Sequence, residues 1–218
     1  MPGFQVQATS TTVFAHLLLI AITTLVLVWL LHFREGVAFF KSSNPIKIFN
    51  LHPLLMVIGF ILVGGEAIMA YKSVPGKKRS LKVVHLVLHL IALVAGVLGI
   101  VAVFLYKNKV GLPDMYTLHS WLGMSAICLF GSQYILGFFA YFFPGAEKST
   151  RGRLLPWHRF MGMVIFLLAV ATAETGLVQY FEAVGLFRSQ EALILNFTGL
   201  LLFLFAVFVS LSVILPIN

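Results

Sequence analysis

His52, His85, His119 and His158 stand near the ends of four successive apolar runs, and the ends alternate. His52 opens the second run and His119 the fourth; His85 lies just inside the third and His158 just inside the fifth. Consecutive membrane helices run antiparallel, so His52 and His119 fall at one face of a bilayer and His85 and His158 at the other. A histidine inside a membrane span is costly and is kept for ligation, proton relay or a buried hydrogen bond. Taken singly, each also reads as an ordinary core or interface residue; the set of four is what points to chemistry. Two neutral imidazoles on one iron leave no open coordination position, so a haem held that way exchanges electrons instead of binding oxygen. The intervals from His52 to His85, from His85 to His119 and from His119 to His158 each match one span plus one loop. Each pair therefore comes from parallel helices two apart in sequence. Two haems so placed would have centres roughly 20 Å apart along the membrane normal, at about 1.5 Å rise per residue across a ~30 Å hydrocarbon core.

Other residues cluster around these four. His89 lies one helical turn deeper than His85 on the same face, and depth matching to His158 favours His85 as the ligand, with His89 at the haem edge or behind it. Gly59, Gly123 and Gly162 share faces with His52, His119 and His158, which suits either a porphyrin or close helix packing. Lys78, Lys82, Arg151 and Arg153 form a cationic collar over the His85/His158 end, suited to a small anion that carries reducing equivalents. Glu66 and Glu174 lie within spans, where each should meet a cavity, a partner or a haem propionate, for proton movement or for a helix-to-helix hydrogen bond. His16 and His32, on the first run, have no obvious partner and read as interfacial or core residues.

The elements that must hold these residues are membrane helices. The chain is 60% hydrophobic and 10% charged, with a mean hydropathy of +1.01, more apolar surface than a soluble domain of 218 residues can bury. Six runs reach the roughly 20 residues a span needs, at Thr12–Leu31, Leu51–Tyr71, Leu81–Leu105, Leu118–Phe143, Pro156–Tyr180 and Ala192–Ile214. The predicted fold is all-α, a single six-helix transmembrane domain over residues 1–218, with spans two to five as a central four-helix bundle around two b haems. Short loops with breakers such as Asn44-Pro45, Pro75-Gly76 and Pro144-Gly145 leave no room for a soluble domain. The first run is too long for a signal-peptide core and reads as a retained anchor. The net charge of +8 sits in these loops, which points to membrane orientation and anionic small molecules and away from nucleic acid. Nine of the 15 basic residues fall on the His85/His158 side and six on the other, which predicts that side, with both termini, in the cytoplasm. The lone cysteine, Cys128, permits no internal disulfide, and without a Cys-x-x-Cys-His motif any haem is bound non-covalently.

These residues resemble the cytochrome b561 family. Thr117-Leu118-His119-Ser120-Trp121-Leu122-Gly123 is similar to its Ser-Leu-His-Ser-Trp motif, with Thr in the first place. Ala67–Lys72 and the basic loop after it resemble the family's ascorbate segment, with Lys72 where Arg is usual. Lys82-Val83-Val84-His85-Leu86-Val87-Leu88-His89 and Pro156-Trp157-His158-Arg159 also match, so the resemblance covers spans two to five. It implies a transmembrane oxidoreductase in which cytoplasmic ascorbate reduces a haem on His85 and His158. The electron then passes to a haem on His52 and His119, and on to monodehydroascorbate or a ferric chelate. It places the ascorbate site at Lys78, Lys82 and Arg151, with Lys72, Lys77 and Arg153 nearby, and the outer substrate site at Tyr116, Asn108 and His119. The resemblance is nearest to plant-type members, which implies a homodimer in an endomembrane, a vacuolar (tonoplast) or vesicle membrane.

Two other readings compete. A polytopic transporter using histidines for a divalent metal or proton path needs ligands converging near mid-membrane, often with carboxylates, rather than pairs at both faces. A quinol-oxidising cytochrome b subunit carries two histidines on each of two helices, whereas here four helices carry one ligand each.

Overall fold

The computed structural model describes residues 8–215. Six helices in it are long and apolar enough to cross a membrane: α1 (Ser10–Phe33), α2 (Pro45–Ser73), α3 (Lys78–Val110), α4 (Leu118–Tyr141), α5 (Lys148–Val184) and α6 (Gln190–Ile214). No strand occurs among the described residues.

Local chemistry sets the helix ends, and it moves several of them beyond the apolar runs. Asn44-Pro45 starts α2 instead of breaking the chain. The Asn44 side chain accepts from the backbone N–H groups of Ile46 and Lys47, and Pro45 supplies a ready-made first turn. Thr117 caps α4 by accepting from Ser120 N, which makes His119 the second helical residue. Because Ser and Thr both cap well, Thr in the first place of this motif leaves the local geometry intact. Gly111 and Gly185 close α3 and α5 in the left-handed conformation, with φ of 72° and 67°. The largest departure is α5, which begins at Lys148, well before the expected start, and carries Pro156 inside it. Its 37 residues extend about 55 Å at 1.5 Å each, well past a ~30 Å hydrocarbon core. Arg151 and Arg153 therefore stand on a helix that overhangs the apolar zone. Hydropathy cannot detect such an extension.

The helices α2 to α5 pack in sequence and close with a contact between α2 and α5, while α1 and α6 pair along their length and lie against α2 and α5. The dry core sits at that junction. Ala15, Ile22, Val26 and Leu30 of α1 meet Leu195, Leu202, Phe205 and Val209 of α6, all nearly fully buried, over Phe60, Ile61, Leu62 and Met69 of α2. Many large apolar side chains elsewhere point outward, including Leu118, Trp121, Leu136 and Phe203, as expected when lipid is the solvent.

One polar cluster locks α1 to α6 near the far end of this seam. Trp29 Nε1 donates to Glu191 Oε1 at 2.8 Å and Arg34 Nε donates to the same oxygen. The Arg34 guanidinium also lies 5.0 Å over the Tyr180 ring. Buried Asn50 holds the α1–α2 connection by donating to the carbonyls of Arg34 and Gly36 at 2.7 and 2.6 Å.

Candidate functional site: two histidine pairs

The four histidines meet as two pairs. The ring centroids of His52 and His119 are 6.0 Å apart, with the planes at 90°. Those of His85 and His158 are 6.3 Å apart, at 63°. Two imidazoles that share one metal, each at a bond length of about 2 Å, have centroids about 6 Å apart, so both pairs have the spacing of an axial ligand set.

Hydrogen bonds set both depth and tautomer. His52 Nδ1 is bonded to the Gly99 carbonyl at 3.0 Å, His85 Nδ1 to Ala67 at 2.8 Å and His119 Nδ1 to Thr172 at 2.9 Å. A ring whose Nδ1–H is held by a carbonyl presents the lone pair of Nε2, the form that binds a metal. Gly99 lies about four helical turns beyond His85 on α3, and Thr172 stands in the same relation to His158 on α5. At about 1.5 Å per residue the two pairs are about 21 Å apart along the helices.

His158 differs from the other three. Gln133 Nε2 donates to the His158 carbonyl at 2.7 Å and sits 3.2 Å from its Nδ1. Ligation through Nε2 places the ring proton on Nδ1, which then cannot accept from Gln133, whose donation to the His158 carbonyl is unaffected.

Glycines make room for two of the rings. A Cβ on Gly176 would lie 2.7 Å from His119 Cε1, and one on Gly137 would lie 3.2 Å from His158 Cε1. By contrast, a Cβ on Gly59 would meet the Ala95 methyl at 2.5 Å, so that glycine serves the α2–α3 crossing. Gly123 and Gly162 face Thr172 and Gln133 at 3.4 Å.

His89 contacts the His85 ring edge-to-face at 4.4 Å and Phe130 at 5.3 Å, and Phe130 meets Phe60 at 4.8 Å. It thus points from the inner pair toward the middle of the bundle.

The basic residues divide among several tasks. Lys82 Nζ donates to the Tyr141 carbonyl at 3.2 Å, and the Tyr141 ring lies 5.1 Å from that of His158. Lys82 is therefore brought to the inner pair. Lys72 instead donates to the Leu215 carbonyl at 2.7 Å, which caps the end of α6. Lys78 opens α3, and Arg151 is half-buried in the first turn of α5, two turns before His158. Lys77 and Arg153 are exposed. At the other end Tyr116 and Asn108 are exposed, and the Lys107 ammonium lies 5.1 Å from the Tyr116 ring.

Four features were not visible in the sequence. The Tyr141 hydroxyl is buried beside the inner pair with no hydrogen-bond partner. His119 lines a cleft of about 430 Å³ together with Thr117, Glu174, Thr175, Gln179 and Glu182. Glu174 Oε1 is buried without a partner. His16, which has no obvious partner in the sequence, meets Glu66 at 2.9 Å. Among the described residues no three His, Cys, Asp or Glu side chains converge as a metal site.

The model of the eukaryotic cytochrome b561 family matches residues 51–183, the stretch that holds all four histidines. A probable ascorbate-specific transmembrane electron transporter 1 of Oryza sativa subsp. japonica is 46% identical over 98% of this chain and 93% of its own length. Transmembrane ascorbate ferrireductase 1 of Arabidopsis thaliana is 42% identical over 95% of this chain and 88% of its own. A transmembrane ascorbate-dependent reductase of Ovis aries is 40% identical, covering 88% and 77%.

Proposed function

The chain belongs to the eukaryotic cytochrome b561 family, and we propose that it passes electrons from cytoplasmic ascorbate across a membrane through two b haems. The observation that carries this reading is the pair of pairs. His85/His158 and His52/His119, with centroids 6.3 and 6.0 Å apart, stand near opposite ends of one bundle. Each pair would hold one haem, which when bound supplies a one-electron carrier with no open coordination position.

The chain's own groups orient and feed these pairs. The carbonyls of Ala67, Gly99 and Thr172 fix three of the rings and raise their basicity as ligands. Between the pairs, His89, Phe130 and Phe60 fill the bundle with ring contacts and exclude water. At the inner end, Lys82, Lys78 and Arg151 attract an ascorbate anion, and the unpartnered Tyr141 hydroxyl can donate to it beside His158. Lys77 and Arg153 add to the field at that face; Lys72, held on Leu215, acts on the helix end instead. At the outer end the cleft beside His119, together with exposed Tyr116 and Asn108 and with Lys107 over the Tyr116 ring, receives the acceptor, monodehydroascorbate or a ferric chelate. The positive-inside bias orients the inner end toward the cytoplasm. By the family resemblance we propose a homodimer in an endomembrane.

The test is reconstitution into sealed liposomes with ascorbate trapped inside and a ferric chelate outside. External iron reduction that requires both the protein and internal ascorbate supports the reading. Reduction no faster than in empty liposomes contradicts it.

A further inference from the structure

The mechanism above leaves one ion pair unused. His16 Nε2 of α1 and Glu66 Oε2 of α2 are 2.9 Å apart, and Glu66 Oε1 is buried with no partner. The pair lies at the depth of the inner histidines, because Glu66 precedes Ala67, whose carbonyl holds His85 Nδ1 at 2.8 Å. His16 is the sole ionisable residue in the described part of α1 before His32 at the far end, and α6 offers only Glu191, likewise at its far end. From α2 the nearest ionisable side chains are Tyr71 and Lys72, the latter held on Leu215, and from α3 they are His85 and His89. His16 also lies outside the stretch that matches the family model.

A carboxylate and an imidazole in a low-dielectric setting strongly favour the net-neutral state, with one proton more than the bare carboxylate and neutral ring. An electron arriving at the inner pair adds one negative charge nearby and strengthens that preference.

We propose that His16–Glu66 is a redox-linked proton site: it binds one proton from the aqueous phase when an electron reaches the inner histidine pair, and releases it when the electron moves on. The charge balances, one electron and one proton in, one electron and one proton out, with ascorbate as the reductant already named. This rests on the haem reading of the two pairs. The sign follows directly. Deprotonation leaves a negative charge at the depth of the inner site, so its midpoint potential falls as pH rises. The outer site is about 21 Å further along the helices, so the same charge acts on it more weakly.

The experiment is a redox titration of the purified, haem-loaded protein at several pH values, for wild type and Glu66→Gln. Glutamine still accepts the hydrogen bond from His16 but cannot titrate, so a purely structural clamp between α1 and α2 survives the change. The expected result is an inner potential that falls with pH in wild type and is flat in E66Q, held at the wild-type low-pH value, with the outer slope changed less than the inner. An E66Q slope equal to wild type overturns the proposal, as does a wild-type inner potential that is flat. If E66Q fails to assemble, His16→Gln decides: it can still donate a hydrogen bond to Glu66 but removes the ionisable ring, and should move the pH range over which the slope appears. An unmoved range overturns the proposal. Wild-type protein without haem would instead sink the reading on which the proposal rests.

Discussion

Gly176→Ala should remove the outer haem selectively. The added Cβ would sit 2.7 Å from His119 Cε1 and 3.0 Å from Nδ1, against an optimal carbon–carbon separation of about 3.5–4.0 Å. The ring cannot yield freely, because its Nδ1 is bonded to the Thr172 carbonyl at 2.9 Å and its other nitrogen must face His52. Displacing it costs the hydrogen bond, about 1 kcal/mol net, plus an overpacking strain of about 1–3 kcal/mol. The sum, about 2–4 kcal/mol, lowers affinity for the outer haem by roughly 30- to 1000-fold. The assay is haem per chain by pyridine haemochrome, with the two components resolved in a redox titration. Gly137→Ala provides a graded comparison, because its Cβ would lie 3.2 Å from His158 Cε1 and asks the inner ring to give by only a few tenths of an ångström. Gly64→Ala, with nothing within 4 Å of the new Cβ, should change neither component. The reasoning is refuted if G176A keeps both haems at wild-type occupancy, or if G64A harms binding as much as G176A does.

Alanine at His52 or His119 should abolish one spectral component and leave the other, and alanine at His85 or His158 should do the converse; loss of neither would break the pair assignment. His89→Ala should disturb the inner component less than His85→Ala, and the opposite order would exchange their roles. Lys82→Ala should slow reduction by ascorbate roughly ten- to a hundredfold, the worth of one charged hydrogen bond, without changing reduction by dithionite. Stopped-flow rates with the two reductants check this, and equal slowing of both would remove Lys82 from the anion site. Glu191→Ala leaves Arg34 and Trp29 without their shared acceptor and should cost about 3–5 kcal/mol of stability with haem content unchanged. Thermal unfolding in detergent measures it, and an unshifted transition would argue against the cluster as the lock between α1 and α6.

The spans and the pairing of the histidines were legible in the sequence because both depend on periodicity along one chain. Six runs of spanning length fix alternate directions, and alternation alone decides that His52 meets His119 and His85 meets His158. Helix ends were less legible. Pro156 looks like a start, yet α5 begins at Lys148, because a polar helical overhang has no hydropathic signal. The other contacts between helices could not be read. The carbonyls of Gly99 and Thr172, the rests at Gly137 and Gly176, and the meeting of His16 with Glu66 depend on how each helix is rotated about its axis. Gly59, Gly123 and Gly162 share the faces of their histidines, but space for a ring is set by the facing helix and not by the ring's own.

The most direct test of the central claim is an absorption spectrum of the purified protein as isolated, then with ascorbate, then with dithionite, together with a pyridine haemochrome count. The two histidine pairs predict two b haems per chain, largely reduced by ascorbate. A colourless protein from haem-replete cells, or a single haem that ascorbate does not reduce, would contradict them.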